Sequence, residues 1–110
     1  MEKFNNLSFH ESTVITFEGK DGEFVTLLED VSHNDEVENI LITVKNVSKM
    51  TKDGVIKNEL GMFFNDGEVL SLELDEEKLF ILIEWNDFPT IKSQTVAYEI
   101  FGNFIQFNKV

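Results

Sequence analysis

The amino-acid sequence predicts an all-β protein: an antiparallel β-sandwich or strongly curved sheet of about seven strands, with at most one short helix. Three observations carry that expectation. Short runs of β-branched and aromatic residues alternate with polar ones along most of the chain. Compact turn signals such as "GKDG" and "DEEK" separate the runs. The chain holds eleven phenylalanines and a single proline, Pro89, so strand formers are plentiful and strand breakers rare.

Thr13 to Glu18 and Glu23 to Val31 flank "GKDG", whose glycines suit a tight hairpin connection. After the acidic loop "SHNDEVE", the run Asn39 to Val47 reads as a third strand that can extend towards Met50. In "TKDGVIKNELGMFF" the spacing of Ile56, Leu60 and Phe63 allows one or two helical turns, while the glycines argue for a loop. Val69 to Leu74 puts Leu70, Leu72 and Leu74 on one face and Ser71 and Glu73 on the other, the period of a half-buried strand. Leu79 to Trp85 is apolar on both faces until Glu84, as in a strand covered on both sides. "TVAYEIF" and "FIQF" flank Gly102-Asn103, which reads as a two-residue turn. The pattern places Leu70, Leu72, Leu74, Ile81 and Ile83 in the core.

A chain of 110 residues suits one domain, 1–110, and its 42% hydrophobic content supplies a core too large for a disordered acidic tail. With no cysteine, neither a disulfide framework nor a thiolate metal site is available, and a cytoplasmic location fits. The N-terminus lacks a basic start followed by a long apolar run, and no stretch approaches the roughly 18 apolar residues of a membrane helix, so neither a signal peptide nor a span is expected. Charge is the most informative quantity. Twenty-one acids against nine bases give −12, and every base is lysine. A field of that sign repels nucleic acid and anionic lipid and speeds encounter with a basic partner. The rigid arginine fork that grips phosphate is missing.

Chemistry finds little support in the motifs. Most carboxylates between Asp66 and Asp87 fall on outward strand positions or on the "DEEK" tip, where a solvated face is the ordinary explanation. A glycosidase-type pair needs one carboxyl in an apolar pocket beside another, and Glu84, between Ile83 and Trp85, is one candidate without a second. "NDGE" and "NDEVE" lack calcium-loop spacing, His10 and His33 stand alone, and no metal or cofactor is expected. His10 and Ser12 have no glycine-rich elbow or oxyanion loop beside them, which points to local hydrogen bonding rather than a catalytic relay. The expectation is a protein that is not an enzyme.

The tetrapeptide "FHES", Phe9 to Ser12, resembles the F-H-[DE]-[SA] opening of small all-β immunity proteins of bacterial polymorphic toxin systems, including those of contact-dependent growth inhibition. A late hairpin like "VLSLEL…LFILIEW" and a final "YEI" strand follow in the same order; Glu11 departs from the commoner aspartate. The resemblance implies a protein that binds a cognate toxin domain, often a nuclease, and neutralises it. The physics points the same way, since nuclease domains carry basic clefts that an acidic partner can occupy. The alternative is a small-ligand-binding or accessory β domain with Trp85, Phe88 and Tyr98 lining an apolar pocket.

Thirteen of the 21 acids fall in two blocks, Glu29 to Glu38 and Asp66 to Asp87, whereas four of the nine lysines lie between Lys45 and Lys57. The negative pole should therefore meet the partner. Asp35, Glu36, Glu38, Asp75, Glu76, Glu77, Glu84 and Asp87 are the expected acidic rim, around an aromatic anchor at Trp85 or Phe88. The expected partner is a basic protein surface, not nucleic acid or membrane.

Overall fold

The computed structural model describes residues 7–33 and 36–110. They form β1 (Leu7–Ser8), β2 (Thr13–Lys20), β3 (Glu23–His33), β4 (Glu36–Lys52), β5 (Val55–Ile56), β6 (Asp66–Asp75), β7 (Lys78–Asp87) and β8 (Lys92–Lys109), with no helix among the described residues. All pairings are antiparallel. The sheet closes on itself in the order β2-β3-β4-β8-β7-β6 and back to β2. Two meanders, β2-β3-β4 and β6-β7-β8, are thus joined by the long β4–β8 ribbon on one side. On the other, the closure is a single pair, Thr13 opposite Glu68.

The ring is flattened, 40 × 34 × 20 Å. Its corner lies in the β4–β8 ribbon. The buried positions of β8 are even-numbered from Val96 to Gly102 and odd-numbered at Ile105 and Phe107, so the ribbon turns its other face inward midway. Asn46, at φ 53°, and a register shift between Val47 and Lys49 sit at that crossing. Gly102 lies opposite Val47. A Cβ on Gly102 would come 2.6 Å from Val44 Cγ1 and 2.8 Å from the Lys45 carbonyl. Gly102-Asn103 is therefore not a turn, as the sequence suggested, but a bend inside one 18-residue strand. The glycine permits the close approach of β4.

The hairpin turns obey local chemistry. Asp21-Gly22 and Asp53-Gly54 both place two consecutive residues at positive φ, which suits the right-handed twist of the strands they join. The second turn decides the ambiguous segment 51–64 against a helix. Leu60 exchanges two backbone hydrogen bonds with Gly19 (2.9 and 2.8 Å), so this loop stands in for a strand beside β2. Of the helix-spaced trio, Leu60 alone is buried, while Ile56 and Phe63 are exposed.

The core between the two halves includes Phe24, Leu28, Ile42, Val44, Leu79, Ile81, Ile83, Trp85, Tyr98 and Ile100. Ile81 and Ile83 lie where the sequence pattern put them, and Leu72 and Leu74 pack against the core from its margin. Leu70 does not. It is the extra residue of a register shift between Val69 and Ser71, and Val69 takes the fully buried position.

Candidate functional site

β7 has two faces with different roles. Leu79, Ile81, Ile83 and Trp85 point into the barrel and are fully buried, while Lys78, Phe80, Leu82 and Glu84 point outward and are half-buried. The strand is thus covered on one face, not on both.

Inside, Trp85 Nε1 donates a 2.8 Å hydrogen bond to Tyr98 Oη. The Phe17 ring stands 5.6 Å from Trp85 and 4.6 Å from Tyr98, and edge-on to Phe24 at 5.0 Å. Burial pushes the Tyr98 phenol up to about 12; the Trp85 hydrogen bond works against that shift and nearby Asp53 adds to it. This cluster corrects two expectations. Trp85 cannot be a surface anchor, because its ring fills the interior and none of it reaches solvent. Nor do Trp85, Phe88 and Tyr98 line a common pocket, since Phe88 is 69% exposed on the β7–β8 tip.

Outside, the register aligns one unbroken row across five strands. Glu29 of β3 is opposite Thr13 of β2, Thr13 opposite Glu68 of β6, Glu68 opposite Glu84 of β7, and Glu84 opposite Thr95 of β8. Directly opposed residues share a face and stand roughly 5 Å apart at Cβ. Three carboxylates therefore occupy one outward belt. Glu68 and Glu84 are immediate neighbours, so the second carboxylate that the sequence did not reveal beside Glu84 exists. Among the described residues, neither has a lysine or histidine within ion-pairing distance. Both stand half-exposed on the outer wall, unlike a glycosidase pair, in which one carboxyl sits in an apolar pocket.

Beside the belt, Phe80 and Leu82 with Ala97 form a half-buried apolar strip. Phe80 lies between Glu73 and Glu99, and Leu82 between Ser71 and Ala97. Lys78 Nζ meets Glu99 at 3.3 Å, and Thr51 Oγ1 donates to the same carboxylate at 3.2 Å. Glu99, unlike Glu68 and Glu84, is satisfied within the chain. At one end of this sheet the β6–β7 turn carries Asp75, Glu76 and Glu77, with Glu76 N–H donating to Asp75 Oδ1 at 2.8 Å. At the other, Asp87 accepts from Thr90 Oγ1 at 2.5 Å and begins the tip Phe88-Pro89-Thr90-Ile91. Ile91 is 90% exposed at φ 54°, a conformation β-branched residues avoid.

The structure thus gathers six of the expected rim and anchor residues on β6, β7 and the turns that end them: Asp75, Glu76, Glu77, Glu84, Asp87 and Phe88. Glu36 and Glu38 lie at the far end of β4, where Glu38 meets Lys109 Nζ at 3.0 Å. Asp35 lies outside the described residues. Glu29 and Glu68 were missed as rim residues because their placement depends on cross-strand register, which no local pattern encodes.

The "FHES" segment has a structural task. Ser12 is fully buried; its Oγ donates to the Phe9 carbonyl at 2.6 Å and its carbonyl accepts from Val69 N–H at 2.8 Å. Glu11, at φ 69°, donates its N–H to the Val69 carbonyl at 2.8 Å, and His10 Nδ1 lies 3.0 Å from the Leu70 carbonyl. These contacts pin β6 to β2 where the ring closes. Among the described residues there is no group of three His, Cys, Asp or Glu able to hold a metal ion, and no helix is long and apolar enough to cross a membrane. Comparison with protein-family models, curated proteins and solved structures finds no match.

Proposed function

We propose that this chain is an immunity protein that binds a cognate bacterial toxin domain through the outer face of β6 and β7 and neutralises it without catalysis, in the cytoplasm. The observation that carries the reading is the Glu29–Glu68–Glu84 belt. Like charges directly opposed across strands, as Glu68 and Glu84 are, destabilise a sheet. A basic protein surface supplies the missing counter-charge, and the adjoining Phe80–Leu82 strip offers the apolar contact that holds a complex after charge has steered it together. Asp75, Glu76, Glu77, Asp87 and the exposed Phe88 extend the same surface to both ends of the hairpin. A toxin nuclease domain, whose cleft must hold phosphate, has the complementary charge.

The decisive experiment joins the purified chain to a candidate toxin nuclease domain with a basic cleft and measures association at several salt concentrations. Glu68→Lys with Glu84→Lys should slow association and flatten its salt dependence, while Phe80→Ala with Leu82→Ala should speed dissociation. Binding that ignores all four substitutions refutes the reading.

A further inference from the structure

The β4–β8 ladder stops abruptly. Ala97 gives its N–H to Asp53 Oδ1 at 2.9 Å, and its carbonyl accepts from Asp53 N–H at 2.7 Å, so the Asp53-Gly54 turn caps this edge of β8. β4 pairs with β8 only from Tyr98 onward. From Lys92 to Val96, β8 pairs with β7 alone. Backbone polar groups alternate sides along a strand, so Ser93 and Thr95 point theirs the way Ala97 does, toward the open edge. The side chains of Lys92, Ser93, Gln94 and Thr95 are all exposed. Of the devices that blunt an edge strand, this stretch holds one lysine, Lys92 at its end, and neither proline nor bulge.

What surrounds the edge identifies its occupant. At one end stand Phe88 and Ile91, 69% and 90% exposed; past the Asp53-Gly54 turn at the other stands Val55, 57% exposed. Lys92 and Lys52 offset Asp53 and Asp87, so this border is locally neutral in a chain of net charge −12. A second copy therefore meets no net like charge along this border.

We propose that Lys92–Val96 pairs with the same segment of a second copy, antiparallel about a two-fold axis through Gln94. Ser93 of each chain then faces Thr95 of the other, which gives four backbone hydrogen bonds and one continuous sheet running from β6 to β6. Asp53 fills the position opposite Ala97, so the shared ladder ends at Lys92, which comes beside Asp53 of the other chain, while Ile91, at φ 54°, turns out of the ladder next to that chain's Asp53-Gly54 turn. Every contact off the axis occurs twice. Thr95 neighbours Glu84, and Asp87 and Phe88 border both surfaces, but self-association is read without any toxin, so the proposal does not depend on the immunity reading.

Sedimentation velocity of the full chain over a roughly hundredfold concentration range tests it. The apparent mass should climb from 12.7 kDa toward twice that value. Thr95→Pro removes a donor that faces the open edge and leaves the β7 ladder intact, so it should keep the circular dichroism spectrum and stay monomeric. Lys92→Glu places like charge against Asp53 and should weaken association about tenfold or more without touching a backbone bond. If Thr95→Pro fails to fold, Lys92→Glu decides alone. A wild-type chain that is monomeric throughout, or a dimer indifferent to Lys92→Glu, overturns the proposal.

Discussion

The two faces of β7 are built from adjacent residues and obey opposite rules. Inward, Ile83 and Trp85 are fully buried, and the one polar atom of the Trp85 side chain has its partner in Tyr98. Outward, between those two residues, Glu84 stands against Glu68 with no lysine or histidine of the described residues within ion-pairing distance. The inner face is satisfied within the chain; the outer one leaves two opposed carboxylates facing solvent. Stability should therefore respond to inner substitutions and association to outer ones, and each prediction below tries to break that division.

The largest effect belongs to Trp85→Ala. Emptying a fully buried indole costs about 3–5 kcal/mol and strips Tyr98 of its hydrogen-bond partner. Denaturant unfolding should show the loss, while the fraction that remains folded should dissociate from the proposed toxin partner at the wild-type rate. Faster dissociation from a fully folded variant would mean that the indole reaches the surface.

Tyr98 comes next. It is the single tyrosine of the chain, so the pH-dependent change in ultraviolet absorbance reports its phenolate alone. The unfolded phenol ionises near the ordinary tyrosine value of 10.0, the folded one, raised by burial, near 12. The folded pKa is the higher, so this contribution is fully present below pH 10 and is lost as pH rises through 12. Two pH units correspond to a loss on the order of 2–3 kcal/mol. A native-state titration midpoint at the ordinary tyrosine value would show that the aromatic cluster admits water.

Gly102→Ala follows, at about 1–3 kcal/mol. Its Cβ would press on the Lys45 carbonyl, which cannot move without disturbing β4. Gly19→Ala is the contrast. The nearest atom there is Met50 Sδ at 2.5 Å, the far end of a flexible side chain, so the penalty should be smaller. Equal penalties in thermal unfolding would mean that the corner of the ribbon is softer than its packing implies.

The same division explains what the sequence made legible. Alternation located most of the strands, and Ile81 and Ile83 fell in the core, because period-two patterning is written in neighbouring residues. Asp53-Gly54 was a legible hairpin signal that the helix-like spacing of Ile56, Leu60 and Phe63 obscured. Gly102 was misread because a glycine that makes room for another strand looks, in one dimension, like a glycine that turns the chain. The bulge at Leu70 displaced one leucine from an otherwise well-read face. The acidic surface was legible as composition but not as geometry. Glu29 and Glu68 lie 39 positions apart and meet on either side of Thr13 only once the ring has closed.

The smallest effect is also the most discriminating, because its sign differs between the two properties. Replacing Glu84 with glutamine removes the repulsion from Glu68 while keeping the shape, so the free protein should gain about 0.2–1 kcal/mol at low ionic strength. Salt already screens that repulsion, and the gain should shrink as ionic strength rises. Association with a basic partner should move the other way and slow, since one of the steering charges is gone. The inner face has no substitution of this kind, because whatever loosens Trp85 or Ile83 weakens the fold and, through it, the surface that the fold presents. A Glu84→Gln protein that is less stable than wild type at low salt would show that the carboxylate is satisfied within the chain. The belt would then be part of the scaffold, and the counter-charge would have to be sought within this chain rather than on a partner.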